Sequence, residues 1–273
     1  MNKKFLLIGA AAITLVLVVM FLPKGKSSKL EIQASSANTK EAKALYEQAT
    51  KLRNMHEPVR ARAAYQEIIK NYPDLENIAT IQQELEAINM DLLFSNYEVP
   101  GKTTLHEVVA GDSLVKIAKK YNTTVEFLRR SNNMKGDVVR LGDKLRIWNG
   151  KFNIFVDKSQ NILILKDGTD VIKVYTVSTG ENNSTPAGTF KIVSKLENPV
   201  WFNKGMVIPP ESPANVLGTR WMGFDIAGYG IHGTVEPKMI GQQVTAGCVR
   251  MLNAEVEELF NIVPMGTEVV IVD

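Results

Sequence analysis

The chain has 273 residues, 45% of them hydrophobic, with 32 basic against 29 acidic side chains. That is an ordinary globular composition, long enough for one large domain or for two or three small ones. An excess of 32 − 29 = 3 positive charges, with no Lys/Arg block, excludes nucleic acid as the expected partner. The single cysteine excludes an internal disulfide and a cysteine-rich zinc site; three scattered histidines make no ligand cluster, and neither a metal nor a cofactor is expected.

Phe5 to Leu22 carries no charge and is preceded by Lys3 and Lys4. Such a run is just long enough to cross a hydrocarbon core of about 30 Å. It exceeds an ordinary signal-peptide core, and no small-x-small cleavage site follows Met20-Phe21-Leu22. An uncleaved signal anchor over 1–23 is expected, with a cleaved signal peptide as the alternative. Lys24, Lys26 and Lys29 weaken the charge asymmetry that would set orientation; the domains that follow place the chain outside the cytoplasm. Residues 24–39, rich in Ser, Lys, Ala and Asn, read as a flexible linker.

From Lys40 the period becomes helical. Ala42, Leu45, Tyr46, Ala49, Leu52 and Met55 form one apolar stripe; Val59, Ala63, Ala64, Ile68 and Ile69 form a second. Tyr72-Pro73-Asp74 interrupts, and Ile78, Ile81, Leu85, Ile88 and Leu92 form a third. The order resembles a single tetratricopeptide repeat with a capping helix over 40–96. A helical spacer or dimerising hairpin and a protein-docking module both fit it.

Leu105 to Val109 reads as a short strand, and Ala110-Gly111-Asp112 as a turn. Asp112 or Ser113 caps a helix with stripe Leu114, Ile117, Ala118 and Tyr121. Thr123 with Glu126 makes a capping box for a second helix, and Lys144 to Trp148 is a closing strand. This βααβ order over 104–149 resembles a LysM domain. The resemblance implies binding of N-acetylglucosamine-containing glycan by Gly111, Asp112 and Ser113 on one loop and by Asn132, Asn133 and Met134 on another. His106 is expected to be structural, and His56 to cap a helix end.

Beyond Phe152 strands dominate: Phe152–Val156, Ile162–Leu165, Val171–Val177, Gly188–Val193 and Val269–Val272, with Asp167-Gly168 as a hairpin turn. One helix begins at Asn253, read as its cap, with Val256, Leu259 and Phe260 on one face. Within this mainly-β region lie Tyr229-Gly-Ile-His232-Gly-Thr234 and Thr245-Ala-Gly247-Cys248-Val-Arg250. A thiol and an imidazole are the parts needed for nucleophilic acyl transfer, the imidazole taking the proton and holding the thiolate as an ion pair. No acidic residue neighbours His232, which leaves a backbone carbonyl or a hydroxyl to orient the ring. The N–H groups of Gly247 and Cys248 could stabilise an oxyanion. Arg250 could offer its charge to a carboxylate, or simply form a surface salt bridge.

These blocks, with Thr185-Pro-Ala-Gly-Thr-Phe190, Asn198-Pro-Val-Trp201 and Leu217-Gly-Thr-Arg-Trp-Met222, resemble YkuD-type L,D-transpeptidases of peptidoglycan synthesis. That family carries a histidine followed at a set distance by Ser/Thr-x-Gly-Cys-x-Asn/Arg; Ala246 departs from the histidine many members place there. The resemblance implies that Cys248 is the nucleophile and His232 the base and acid. The Gly233 carbonyl would orient the ring, Thr245 would support the pair, and Arg250 would hold the site or bind a carboxylate. The donor would be a peptidoglycan tetrapeptide stem. Trp201, Trp221, Tyr229 and Thr234 would line the cleft, although core packing explains the aromatic residues equally well. The segment Trp201 to Leu217 would form a loop over it.

The expected architecture is a transmembrane helix, a linker, a helical spacer, a LysM domain and a mainly-β catalytic domain with one or more packed helices over 151–273. Three functions fit: a transpeptidase; a carboxypeptidase or amidase using the same acyl-enzyme with water; and a non-catalytic wall-binding protein. Acceptor amine, stem chemistry, envelope type and oligomeric state leave no mark in the sequence.

Overall fold

A computed structural model describes residues 29–203 and 205–273. The expected membrane anchor, Phe5 to Leu22, lies outside the described residues. Among the described residues no helix is long and apolar enough to cross a membrane. The described residues divide into two compact units, with the boundary between Leu92 and Leu93.

The first unit is helical. Helix α1 spans Lys29–Asn54, α2 Pro58–Asn71 and α3 Ile78–Phe94, whose last two residues belong to the second unit. The linker expected over 24–39 is therefore helix from Lys29 onward, as suits a segment carrying Lys, Glu, Gln and Ala. Pro58 starts α2, where its missing N–H costs nothing. Ala42, Ala49 and Leu52 of α1 are buried, with Pro58, Ala61, Ala64, Tyr65 and Ile68 of α2. Two members of the expected stripes fall away: Met55 is 55% exposed beyond the end of α1, and Ala63 faces solvent. Tyr65 fills the second stripe instead, packing edge-on against Tyr46 at 6.1 Å. The third stripe is buried throughout.

The second unit opens with strands β1 (Thr103–Glu107) and β2 (Lys144–Trp148), paired antiparallel, and helices α4 (Leu114–Lys120) and α5 (Val125–Ser131). Val108, Leu114, Ile117, Ala118, Leu128, Leu145 and Ile147 make one core. Ser113 caps α4, accepting the Lys116 N–H. Thr124, not Thr123, caps α5 by accepting the Phe127 N–H at 2.9 Å. His106 is buried between the Tyr121 hydroxyl at 3.1 Å and Asp112 at 2.9 Å, a structural position.

The rest is built on an eight-stranded sheet of order β13-β11-β10-β7-β14-β3-β4-β5. Its strands are β3 (Phe152–Asp157), β4 (Ile162–Asp167), β5 (Asp170–Thr176), β7 (Gly188–Glu197), β10 (Arg220–Phe224), β11 (Gly230–His232), β13 (Val249–Arg250) and β14 (Glu268–Val272). Two small ribbons accompany it: β6 (Thr179–Gly180) with β12 (Gln243–Thr245), and the hairpin of β8 (Trp201–Asn203) and β9 (Met206–Ile208). Helix α6 (Asn253–Ile262) buries Val256, Leu259 and Ile262, whereas Phe260, expected on the same face, is only half-buried under Lys195. The βααβ module is seated on this domain. The Thr124 hydroxyl donates to the Asn261 carbonyl, Phe127 packs edge-on to Phe152 at 5.8 Å, and Lys102 pairs with buried Asp167 at 2.8 Å.

Candidate active site

Cys248 and His232 are brought together by a short parallel pairing. β11 pairs with β13 so that Ile231 faces Val249 and His232 faces Arg250, which sets the cysteine just ahead of β13 beside the histidine strand. On its other side β11 pairs antiparallel with β10, placing Trp221 across from His232. The two rings lie nearly parallel, 23° apart with centroids at 6.1 Å. Gly230 permits this, because a Cβ there would stand 3.0 Å from the indole.

His232 is buried, and its Nδ1 lies 2.7 Å from the Gly233 carbonyl. That carbonyl can only accept, so Nδ1 carries the proton and Nε2 is left with its lone pair. Burial lowers the imidazole pKa to about 4, Arg250 adds to the shift, and the Gly233 and Leu217 carbonyls oppose it. The Cys248 thiol donates to the Gly228 carbonyl at 3.4 Å. Burial pushes its pKa up, against the backbone of Gly230 and the charge of Arg250. Both shifts favour the uncharged thiol and the uncharged imidazole over the ion pair expected from the sequence.

The turn before the cysteine is locked from within. The Thr245 hydroxyl donates to the Cys248 carbonyl at 2.6 Å and accepts the Gly247 N–H at 3.2 Å. Thr245 therefore fixes the backbone on both sides of the nucleophile rather than touching His232. The Gly247 N–H, expected as an oxyanion donor, is already engaged by that hydroxyl. Gly247 has φ +129°, and a Cβ would meet the Tyr229 ring at 2.6 Å and the Ser184 carbonyl at 3.2 Å. Gly247→Ala should lose acylation and, by overpacking, about 1–3 kcal/mol of stability, read by chemical denaturation.

Arg250 is both buried and paired. Its guanidinium reaches Glu236 at 3.1 Å, its backbone exchanges two 2.8 Å hydrogen bonds with Ser178, and its Nε has no partner among the described residues. The salt bridge expected as an alternative is thus present, but it does not make Arg250 a surface residue. Of the expected cleft residues, Tyr229 packs on Gly247 and Trp221 on His232. Thr234 is buried with its hydroxyl oxygen accepting the Glu236 N–H, and Trp201 is half-buried in the β8–β9 hairpin. The hairpin makes the first half of the expected 201–217 loop regular.

Two asparagines that the sequence does not mark as site residues brace the segments around the site. Asn215, buried, donates to the carbonyls of Pro199, Ile208 and Pro209 and accepts the Leu217 N–H at 3.0 Å, closing the base of the hairpin. Asn253, read as a helix cap, follows the actual cap Leu252 and points its side chain at the Thr219 and Thr234 N–H groups instead.

In the βααβ module, Asn132 binds the backbone of Arg146 on both sides, donating to its carbonyl at 2.9 Å and accepting its N–H at 2.6 Å. Asp112 accepts the Val109 N–H at 3.0 Å as well as bonding His106. Both side chains hold the fold rather than standing free for glycan. Gly111 and Asn133 sit at positive φ on the two expected loops, with Ser113 and Met134 beside them.

Residues 151–271 match the L,D-transpeptidase catalytic domain model (YkuD), and residues 106–148 match the LysM domain model. The YqjB protein of Bacillus subtilis strain 168, named for the same activity, is 43% identical over 126 residues, covering 44% of this chain and 70% of that protein. The chain belongs to the L,D-transpeptidase family. The YkuD protein of Bacillus licheniformis is 31% identical over 173 residues, spanning 60% of this chain and 96% of that one. YkuD of Bacillus subtilis strain 168 is 30% identical over 173 residues, spanning 61% and 97%. LysM thus precedes a YkuD-type L,D-transpeptidase domain, as the residues implied.

Proposed function

We propose that this L,D-transpeptidase works through a Cys248 acyl-enzyme on peptidoglycan tetrapeptide stems. The observation that carries the reading is the buried His232, whose Nδ1 lies 2.7 Å from the Gly233 carbonyl and whose Nε2 is thereby free to act as a base, on the strand paired with the one that follows the only cysteine. Nε2 takes the thiol proton as sulfur attacks the carbonyl of the third stem residue. Collapse of the tetrahedral intermediate breaks the bond to the terminal D-alanine, whose amine leaves with that proton. An acceptor amine then gives a proton to Nε2, attacks the thioester and restores the thiol. Arg250, with an unpartnered buried Nε, fits a substrate carboxylate or the developing charge.

The LysM module, seated on the catalytic domain, would hold N-acetylglucosamine-containing glycan through the Gly111–Ser113 and Asn133–Met134 loops. The Phe5–Leu22 segment would anchor the chain in the membrane, with the folded domains on the extracytoplasmic face of the cell envelope and the helical spacer available to a protein partner. Products formed from purified muropeptides test the reading. Joined stems are expected; tripeptides trimmed without joining would instead identify a hydrolase.

A further inference from the structure

The imidazole's orienting carbonyl does not stand alone. Gly233 O and Thr234 N belong to one peptide unit. Its carbonyl lies 2.7 Å from His232 Nδ1, and its N–H donates to Asn253 Oδ1 at 2.9 Å. The three groups form a line: Nδ1–H to carbonyl, then across the peptide, then N–H to Oδ1. An acceptor on the N–H side polarises the carbonyl on the other side, so each hydrogen bond strengthens the next.

Asn253 also accepts the Thr219 N–H at 3.3 Å, drawing in the segment just after Leu217, whose carbonyl also acts on the His232 ring. Both backbone segments that serve the imidazole are thus tied to one amide oxygen. The fit leaves no slack. A Cβ on Gly233 would stand 2.2 Å from Oδ1, and one on Gly218 would stand 2.3 Å from it. Only glycine permits either approach.

The amide itself sits on a rigid post. Helix α6 is held in the core by Val256, Leu259 and Ile262. Its far end is closed by Lys195, whose ammonium donates to the Phe260 and Val263 carbonyls at 2.6 and 2.7 Å. Leu252 occupies the helix cap, which frees Asn253 from capping.

We propose that Asn253 is a positioning residue for the acyl transfer, acting through the Gly233–Thr234 peptide to fix the tautomer and direction of His232. This rests on the catalytic reading of His232 given above. Alanine would leave the Thr234 N–H buried without an acceptor and the carbonyl free to swing. Misplacement of a reacting group by about 1 Å can cost on the order of 10²-fold in rate. Aspartate keeps an acceptor oxygen at the same reach.

The test measures two things on the full chain and on its Asn253→Ala and Asn253→Asp variants. One is the low-field proton resonance of His232 Nδ1–H; the other is kcat and KM for a tetrapeptide stem. Asn253→Ala should lose the resonance and about 10²-fold in kcat with KM little changed. Asn253→Asp should keep the resonance, recover most of the rate, and move the acid limb of the pH profile upward, because its charge favours the imidazolium. A resonance and kcat within twofold of the parent in Asn253→Ala would overturn the proposal. So would a folded Asn253→Asp variant, by circular dichroism, that behaves like the alanine variant. The resonance does not depend on turnover. A parent chain that shows it but forms no acyl-enzyme would sink the transpeptidase mechanism and with it the role in acyl transfer, while loss of the resonance in Asn253→Ala would still show that Asn253 orients His232.

Discussion

Cys248→Ala should abolish acyl transfer while leaving the fold and glycan binding intact. Removing the nucleophile of a covalent hydrolase or transferase costs on the order of 10⁶-fold in kcat. No other thiol exists to replace it. The side chain is small and half-buried, and its thiol donates to the Gly228 carbonyl at 3.4 Å, so truncation opens little space. Turnover of tetrapeptide stems by the variant gives the first readout, and retention on peptidoglycan the second. Loss of both would point to misfolding. Retained turnover would remove Cys248 from the mechanism.

The second large effect is on pH. Burial holds the His232 pKa at about 4, against an ordinary 6.5. The free base is therefore present well below neutrality, and the acid limb of kcat/KM should fall near pH 4 rather than near 6.5. Stability follows from the same shift. Between these two values the unfolded chain binds more protons than the folded one, so stability rises with pH there. The contribution is complete above about 6.5 and disappears as pH falls toward 4. A shift of this size corresponds to on the order of 3 kcal/mol. His232→Gln should flatten that part of the stability profile and reduce acylation by about 10²–10⁴-fold. Urea denaturation midpoints between pH 4 and 7 check the first; single-turnover acylation checks the second.

The Cys248–His232 pair could be read from the chain because residue type carried it: one thiol, one imidazole and glycines around each. With no acid beside His232, the chain left a backbone carbonyl or a hydroxyl to orient the ring, and the family resemblance pointed to Gly233. The βααβ module and the strand run were legible because turn and period signals came in order. What stayed hidden depends on how a side chain meets a backbone. Thr245 and Thr234 turn their hydroxyls to their own loops, and no spacing rule shows that. Thr123 has the capping-box spacing to Glu126, yet the helix starts one residue later and Thr124 caps it. Asn253 looks like a cap until Leu252 is seen to hold that place. Depth is also absent from the sequence, and burial is what pushes the imidazole pKa down and the thiol pKa up. Burial also moved the second spacer stripe from Ala63 to Tyr65.

The most direct measurement is intact-protein mass spectrometry of the full chain mixed with tetrapeptide stems. A mass increase equal to the stem's tripeptide acyl portion is expected, with free D-alanine released and the adduct mapped to Cys248 by digestion. An unmodified chain that nevertheless turns over stems, or an adduct on any other residue, would contradict it.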